Sequence, residues 1–401
     1  MSINAEGMEG QLAPLAPYST QISEFLPWDV LVYTLDLVQI EKKTIRACML
    51  TCKRWYHAAR PFIYRVVVLA KKKHAVDFVQ ILEENEEVRP WIRELYLTIY
   101  PGGTARSNIQ VNEWMFSKQN VRLLAANLPN LHTLSFAFVP PSDIGWFSSV
   151  RRLVLSIRVT ERALINILHD FPHLSTLDLL NTNLYGESDP TSAITSTLAL
   201  ERLTLRISSL AAARFVMSLE NTQTMKTLRS LLVNFSMIAT DLPHTPKIVE
   251  SIQSFLNGIG NQLVDLEMRF SQPWHWSRYL NNQPPVSLSG LVSLQYLTLD
   301  APLHPAVVHL LSTPLPSLVE VVFSMGFDDP QSVLPFKYSP LDEVLSDPGF
   351  SSLKNVLIKY TGSLLTETVL DRLGAGFRRL SEMQLLTVVK CGDESFGGTR
   401  L

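Results

Sequence analysis

The amino-acid sequence predicts an α/β chain in which a short helical segment leads into an irregular solenoid of parallel strands with helices outside. Three observations carry that expectation. A motif of the form apolar-x-x-apolar-x-apolar recurs eleven times, the intervals between copies carry amphipathic helix patterns, and the segment from Leu26 to Tyr64 shows helical spacing instead.

Residues 1–22 mix Gly, Ser, Pro, Glu and Gln without sustained periodicity and are expected to form a mobile tail. Helical spacing begins after Leu26-Pro27. Asp29 falls in the first turn behind the proline, where a carboxylate is favoured, and Val30, Leu31, Thr34, Leu35 and Val38 follow at helical intervals. A second helix is expected over about Lys43 to Ala59, with Ile45, Met49, Cys52, Tyr56 and Ala59 on one stripe and Cys48 and Trp55 beside it, ended by Pro61.

The motif then appears as Ile92/Leu95/Leu97, Leu131/Leu134/Phe136, Val150/Leu153/Leu155, Leu174/Leu177/Leu179, Leu200/Leu203/Leu205 and Leu228/Leu231/Val233. It continues as Leu263/Leu266/Met268, Leu294/Leu297/Leu299, Leu318/Val321/Phe323, Leu353/Val356/Ile358 and Leu380/Met383/Leu385, and Tyr64/Val67/Leu69 is a candidate twelfth. Each copy alternates as a half-buried strand does. Helices are expected between them at Pro246 to Gly258, Glu161 to Leu168, Ala211 to Leu219 and Thr366 to Leu373, and three helices should stop at Pro129, Pro172 and Pro316. Central residues lie 19 to 39 positions apart, so insertions are expected around Gly102 to Asn112, Gln272 to Ser289 and Phe327 to Pro348. The competing expectation is an ordinary α/β domain whose strands share leucine spacing.

Composition narrows the function. Of 401 residues 46% are hydrophobic and 18% charged, and the net charge of −2 offers no global footprint for nucleic acid or an anionic membrane. No stretch has the uninterrupted apolar length a membrane span needs, and no secretory leader pattern opens the chain. Three cysteines make no disulfide framework, so a cytoplasmic or nuclear setting is expected.

Catalytic signatures are lacking. There is no Gly-x-Ser-x-Gly elbow and no phosphate-binding loop, Gly374 and Gly376 belong to no complete dinucleotide fingerprint, and His304 and His309 are five apart, off helical ligand spacing. Cys48 and Cys52 have no companion ligands for zinc and read as structural thiols. Lys71-Lys72-Lys73-His74 reads as a solvated helix start, while Trp274-His275-Trp276 is either a partner anchor or a packed insertion. No enzyme, cofactor or metal is expected.

Leu26-Pro27-x-Asp29-Val30-Leu31, then Leu35, Ile45, Leu50, Cys52-Lys53-x-Trp55 and Tyr64, resemble an F-box. The departure is Ile40-Glu41-Lys42-Lys43, which replaces the usual apolar-then-Asp-Pro link between helices. The repeats resemble the leucine-rich repeats that often follow an F-box, and the whole is similar to fungal F-box proteins with divergent repeats. The repeat family's asparagine is missing: Thr182, Ser208 and Ser236 occupy its place, and their hydroxyls could replace part of its hydrogen-bond ladder. The resemblance implies an F-box over 23–64, a horseshoe-like repeat solenoid over 65–390 and a short tail over 391–401. It also implies docking on the Skp-family adaptor of an SCF-type ubiquitin ligase, and through it on a cullin scaffold, by Leu26, Pro27, Val30, Leu31, Leu35, Ile45, Leu50, Cys52 and Trp55. A pair of short helices cannot bury that many apolar side chains within itself, so either an adaptor or the end of the solenoid must cover them.

Pleat geometry assigns the alternate strand positions to the concave face: Glu94, Tyr96, Arg152, Asp178, Arg202, Arg206, Asp265, Glu267, Arg269, Tyr296, Asp300, Glu320 and Lys359. Mixed charge with tyrosine suits recognition of a target protein. Tyr96, Arg152, Asp178, Arg202, Arg206, Glu267, Arg269, Tyr296 and Asp300 are the candidate substrate-binding residues, against the alternative of a merely solvated face. The expected function is a substrate receptor, or else a scaffold of the same fold that delivers nothing for ubiquitination.

Overall fold

The computed structural model describes residues 26–38, 42–97, 118–137, 147–179, 182–185, 197–207, 209–235, 245–270, 286–300, 305–326, 338–362 and 366–391. They form an α/β structure with helices packed on a parallel sheet. The strands are β1 (Val66–Leu69), β2 (Glu94–Leu97), β3 (Thr133–Phe136), β4 (Arg152–Leu155), β5 (Arg158–Thr160), β6 (Thr176–Leu179) and β7 (Asn183–Tyr185). They continue as β8 (Arg202–Ile207), β9 (Ser230–Phe235), β10 (Asp265–Phe270), β11 (Tyr296–Asp300), β12 (Glu320–Gly326), β13 (Asn355–Thr361) and β14 (Leu386–Lys390). Twelve of them make one sheet in chain order, and β5 pairs with β7 in a two-stranded companion.

The register explains why the leucine motif recurs. Leu95, Leu134, Leu153, Leu177, Leu203, Leu231, Leu266, Leu297, Val321 and Val356 pair in succession across the sheet, every pairing parallel. Every one of them is buried in a core shared with the helices. Burying each such side chain is worth roughly 1.5–3 kcal/mol, so a repeated leucine is the cheapest way to specify one register. Val67 pairs with Leu95, which bears out the candidate twelfth copy.

The eleventh copy needs correction. Leu380 lies in the helix Arg378–Glu382, and the strand partners of Val356 and Ile358 are Leu386 and Val388, which take the strand places expected of Met383 and Leu385, while Met383 is 52% exposed. Gln384, with φ of 59°, makes the turn that shifts the frame.

A second regularity runs along the strand entrances. The carbonyl just before ten of the twelve strands of the main sheet accepts two successive N–H groups of the next unit: Arg65 from Arg93 and Glu94, Arg93 from His132 and Thr133, and His132 from Arg151 and Arg152. The same corner repeats at Arg151, Ser175, Glu201, Arg229, Val264, Gln295 and Val319. Those residues stack as one column beside the sheet.

Helix-to-strand corners are also alike. Leu128, Phe147, Phe171, Leu315 and Phe350 each accept through their carbonyl from the N–H three residues on. Hydroxyls close other gaps: Thr182 donates to the Leu155 carbonyl at 2.8 Å, as expected of an asparagine substitute, and Ser149 and Thr227 do likewise to Leu131 and Leu200. Ser208 and Ser236 lie outside the described residues.

The expected helices are observed as Glu161–His169, Leu210–Ser218, Thr245–Ile259 and Thr366–Gly376. Lys71 precedes the helix Lys72–Glu84, so the lysine run does open a helix. The span expected as an insertion at Phe327 to Pro348 instead contains the helix Ser339–Leu345, which buries Leu341 and Leu345 like the other outer helices. Its buried Asp342 accepts from the N–H groups of Arg379 and Leu380 and so caps the helix Arg378–Glu382. The other two expected insertions and Trp274-His275-Trp276 lie wholly or mostly outside the described residues, as do both expected tails apart from Cys391.

At the N-terminal end three helices form a unit: α1 (Trp28–Leu37), α2 (Lys42–Met49) and α3 (Lys53–Tyr64). Pro27 caps α1 and Asp29 sits in its first turn, as the sequence suggests. The single helix expected over Lys43 to Ala59 is two. Thr51 turns its hydroxyl and its N–H onto the Cys48 carbonyl, which competes with helix continuation, and Cys52 is extended. Pro61 does not end α3 but sits inside it. The lost backbone bond is outweighed because Phe62 and Ile63 beyond it pack on the unit's core.

Among the described residues no helix is long and apolar enough to cross a membrane, and no group of three His, Cys, Asp or Glu could hold a metal ion.

Candidate functional site

Two surfaces are candidates, the outer side of the helical unit and the sheet face turned away from the outer helices. The helical unit has its own small core of Leu31, Leu35, Ile45, Ala58 and Ala59, with Trp55, Cys48 and Met49 packed on it. This corrects the expectation for Leu31, Leu35 and Ile45. A third helix supplies Ala58 and Ala59, whose small side chains let α3 approach closely, so these three residues are interior and not on offer to a partner.

Other side chains take the exposed positions. Val30 is 40%, Tyr33 65% and Leu37 65% exposed on α1, and Leu50 in the turn after α2 is 87% exposed. Helical spacing puts Val30, Tyr33 and Leu37 on the stripe opposite Leu31 and Leu35. Helix α1 is therefore apolar on two sides, with only one covered. Of the remaining candidates, Pro27 is exposed, while Leu26, Cys52 and Trp55 are half-buried.

The unit is fastened to the sheet through Arg60. Its guanidinium bonds Glu87 at 2.7 Å and lies 5.6 Å from the ring centre of Tyr56 and 5.3 Å from that of Trp91. Tyr64 stacks obliquely on Trp91 at 6.2 Å. Tyr64 is thus part of the joint, whereas Trp55 belongs to the helical core. Arg60 and Trp91 carry no periodic signal and were not legible in advance.

On the sheet face the candidates fall into rows. Arg206, Asn234, Arg269 and Asp300 are neighbours across β8 to β11. Arg152 and Arg202 both pair with Thr176 of the strand between them, in the row that enters the strands, and Tyr296 stands farther along it at 44% exposure. Arg202, Arg269 and Tyr296 are exposed, and Arg206, Glu267 and Asp300 half-buried. Arg269 is clasped by Glu267 at 2.6 Å, and Ser230 donates to Asp265 at 2.9 Å.

Tyr96 and Asp178 depart from expectation, being only 6% and 3% exposed. Asp178 is held on one oxygen by Arg152 at 2.7 Å and on the other by the Thr204 hydroxyl at 2.7 Å, while the Tyr96 hydroxyl donates to Glu94 at 2.8 Å. This part of the face is a polar network closed on itself. Its members satisfy one another rather than a ligand, because a buried carboxylate must be paired where it stands.

Burial first, then the hydrogen bond to Glu94 and its charge, push the Tyr96 hydroxyl up to about 12. The folded chain thus holds this proton more tightly than the unfolded chain, whose tyrosine titrates near 10. The resulting stability is whole below pH 10 and declines as pH rises towards about 12. An ultraviolet titration of the folded chain should show a tyrosinate forming only near that upper limit and missing from Tyr96→Phe. A Tyr96→Phe curve superimposable on the parent would contradict the placement.

No protein-family model matches the chain. A stretch of 90 residues is 33% identical to the F-box protein COS111 of Candida albicans, covering 22% of this chain and 12% of that protein. The chain therefore spans only a small part of the curated relative's length.

Proposed function

We propose that this chain is the substrate-recognition subunit of an SCF-type ubiquitin ligase. In this reading residues 23–64 are an F-box that docks on a Skp-family adaptor, and residues 65–390 are a leucine-rich-repeat solenoid that holds a target protein. The observation that carries it is the second apolar stripe of α1, with Val30, Tyr33 and Leu37 exposed on a unit whose core is already complete. An apolar face of this kind on an ordered helix is a docking surface. The Leu26-Pro27-x-Asp29 and Cys52-Lys53-x-Trp55 elements and the similarity to a protein named as an F-box protein point to which machine it joins. The serial parallel sheet and the ladder of corners from Arg65 to Val319 support the solenoid.

The adaptor would connect the chain to a cullin in the cytoplasm or nucleus. No covalent chemistry and no cofactor belong to this chain. Its contribution is proximity, which raises the effective concentration of target lysines near a charged ubiquitin-conjugating enzyme. The Arg60 joint serves this role by fixing the direction in which the sheet leaves the docking unit.

The full chain co-expressed with a fungal Skp-family adaptor should co-purify with it. Val30→Asp with Leu37→Asp, both on the outer stripe, should lower retained adaptor at least about tenfold with an unchanged far-ultraviolet spectrum. Retention of adaptor by that variant, or its absence from the parent preparation, would overturn the reading.

A further inference from the structure

The column of strand-entrance residues opens with Arg65, Arg93, His132 and Arg151, four basic side chains in succession. Parallel strands stand about 4.8 Å apart, so these groups are stacked at close range. Arg93 Nη1 lies 3.5 Å from His132 Nε2. Arg93, His132 and Arg151 are all exposed. Arg65 is matched by Asp36 at 3.5 Å, and Arg152 in the next row is consumed by Asp178, but among the described residues no carboxylate forms an ion pair with Arg93 or Arg151. Stacked like charges without a counter-charge are unfavourable, and a fold that needed only stability would place a neutral side chain on at least one of these rungs.

We propose that Arg93, His132 and Arg151 form a docking site for a short acidic, unphosphorylated protein segment carrying at least two carboxylates. A guanidinium fork grips a carboxylate through two parallel hydrogen bonds, so the two arginines can each take one while the imidazole bridges them. Single exposed ion pairs contribute little, which is why the site needs all three rungs. The ends of the patch set its length. Asp36 stands at one end beside Arg65, and Ser175 and then Glu201 follow Arg151 at the other. A cationic stretch about 10 Å long flanked by carboxylates fits a few residues of an acidic segment, whereas a phosphate backbone running on in either direction would meet like charge. The net charge of −2 points the same way.

His132 reports on occupancy. Burial, then the Arg93, Arg151 and Arg65 guanidiniums in that order, hold its imidazole below the ordinary value. These arginines come from the strand entrances on either side and from the end of α3. Carboxylates bound to Arg93 and Arg151 would offset their effect and raise the titration. The site shares no residue with the outer stripe of α1, so it stands or falls apart from the adaptor reading.

The test uses the full chain with fluorescein-labelled hexaglutamate at low salt, read by fluorescence polarisation. Hexaglutamine and a single-stranded DNA hexamer are the comparisons. Hexaglutamate should bind, Arg93→Glu with Arg151→Glu should weaken it at least about tenfold, and Arg229→Glu, an exposed arginine of the same column, should change it less than about twofold. The His132 resonance, titrated by NMR, should move to higher pKa with saturating hexaglutamate. Four results would each overturn the proposal: no binding by the parent chain, equal loss with Arg229→Glu, tighter binding of the DNA hexamer, or an unmoved His132 titration.

Discussion

Leu35→Asp should unfold the N-terminal helical unit while leaving the sheet intact. Leu35 is 0% exposed and Leu31 and Ile45 beside it are each 1% exposed, so a carboxylate there has neither water nor a partner. An unpaired buried charge costs several kcal/mol or is neutralised at similar cost. The unit has three large buried side chains to set against this, each worth about 1.5–3 kcal/mol, and its helices of 10, 8 and 12 residues are too short to persist alone. The loss should stay local, because in a serial array each unit rests on its immediate neighbours. Hydrogen exchange should show fast amides over 28–64 and near-parental protection in β4 to β13. The same residue type at Leu37, 65% exposed, should leave protection unchanged. Comparable protection of α1 in the Leu35→Asp and Leu37→Asp variants would refute the inside-outside assignment of this helix.

That assignment marks where sequence stopped informing. The leucine spacing led to the strand row from Leu95 to Val356 because one face of each strand is fully buried and a one-residue slip would expose it. It failed at the last copy because the motif fits twice, in the frames starting at Leu380 and at Met383. Only the turn at Gln384 chooses between them. On α1 both stripes are apolar, so composition cannot say which is inside; that is decided by Ala58 and Ala59 on α3, a helix whose spacing runs on from α2 without a break in the apolar pattern.

Polar side chains were harder still. Alternation put Tyr96 and Asp178 correctly on the face away from the central leucines, but it carries no information about lateral pairing with Glu94, Arg152 and Thr204. The basic column was legible in principle. It occupies the second position of the motif, as Arg93, His132 and Arg151, a position that the apolar pattern leaves unspecified.

Gly260→Ala should destabilise the middle of the array by about 3 kcal/mol, a large effect for one added methyl. Gly260 is buried in the turn after the helix Thr245–Ile259, and a Cβ there would stand 2.2 Å from the Gly290 carbonyl oxygen and 2.9 Å from its carbon. Both atoms are backbone, so no rotamer change relieves the overlap. The two turns must separate, and they are the contact between successive units. Gln253 is bonded to both the N–H and the carbonyl of Ser287, and the Ser293 hydroxyl donates to Asn261, so separation loosens side-chain bridges as well as packing. Gly374→Ala is the matched control. It lies within the helix Thr366–Gly376, where an added Cβ meets nothing within 4 Å, and alanine is the better helix former by up to about 1 kcal/mol. Urea unfolding should therefore move the midpoint down for Gly260→Ala and slightly up for Gly374→Ala. Equal midpoints for Gly260→Ala and the parent would mean that the two turns do not meet, and with that the close stacking of β10 and β11 as successive units would be lost.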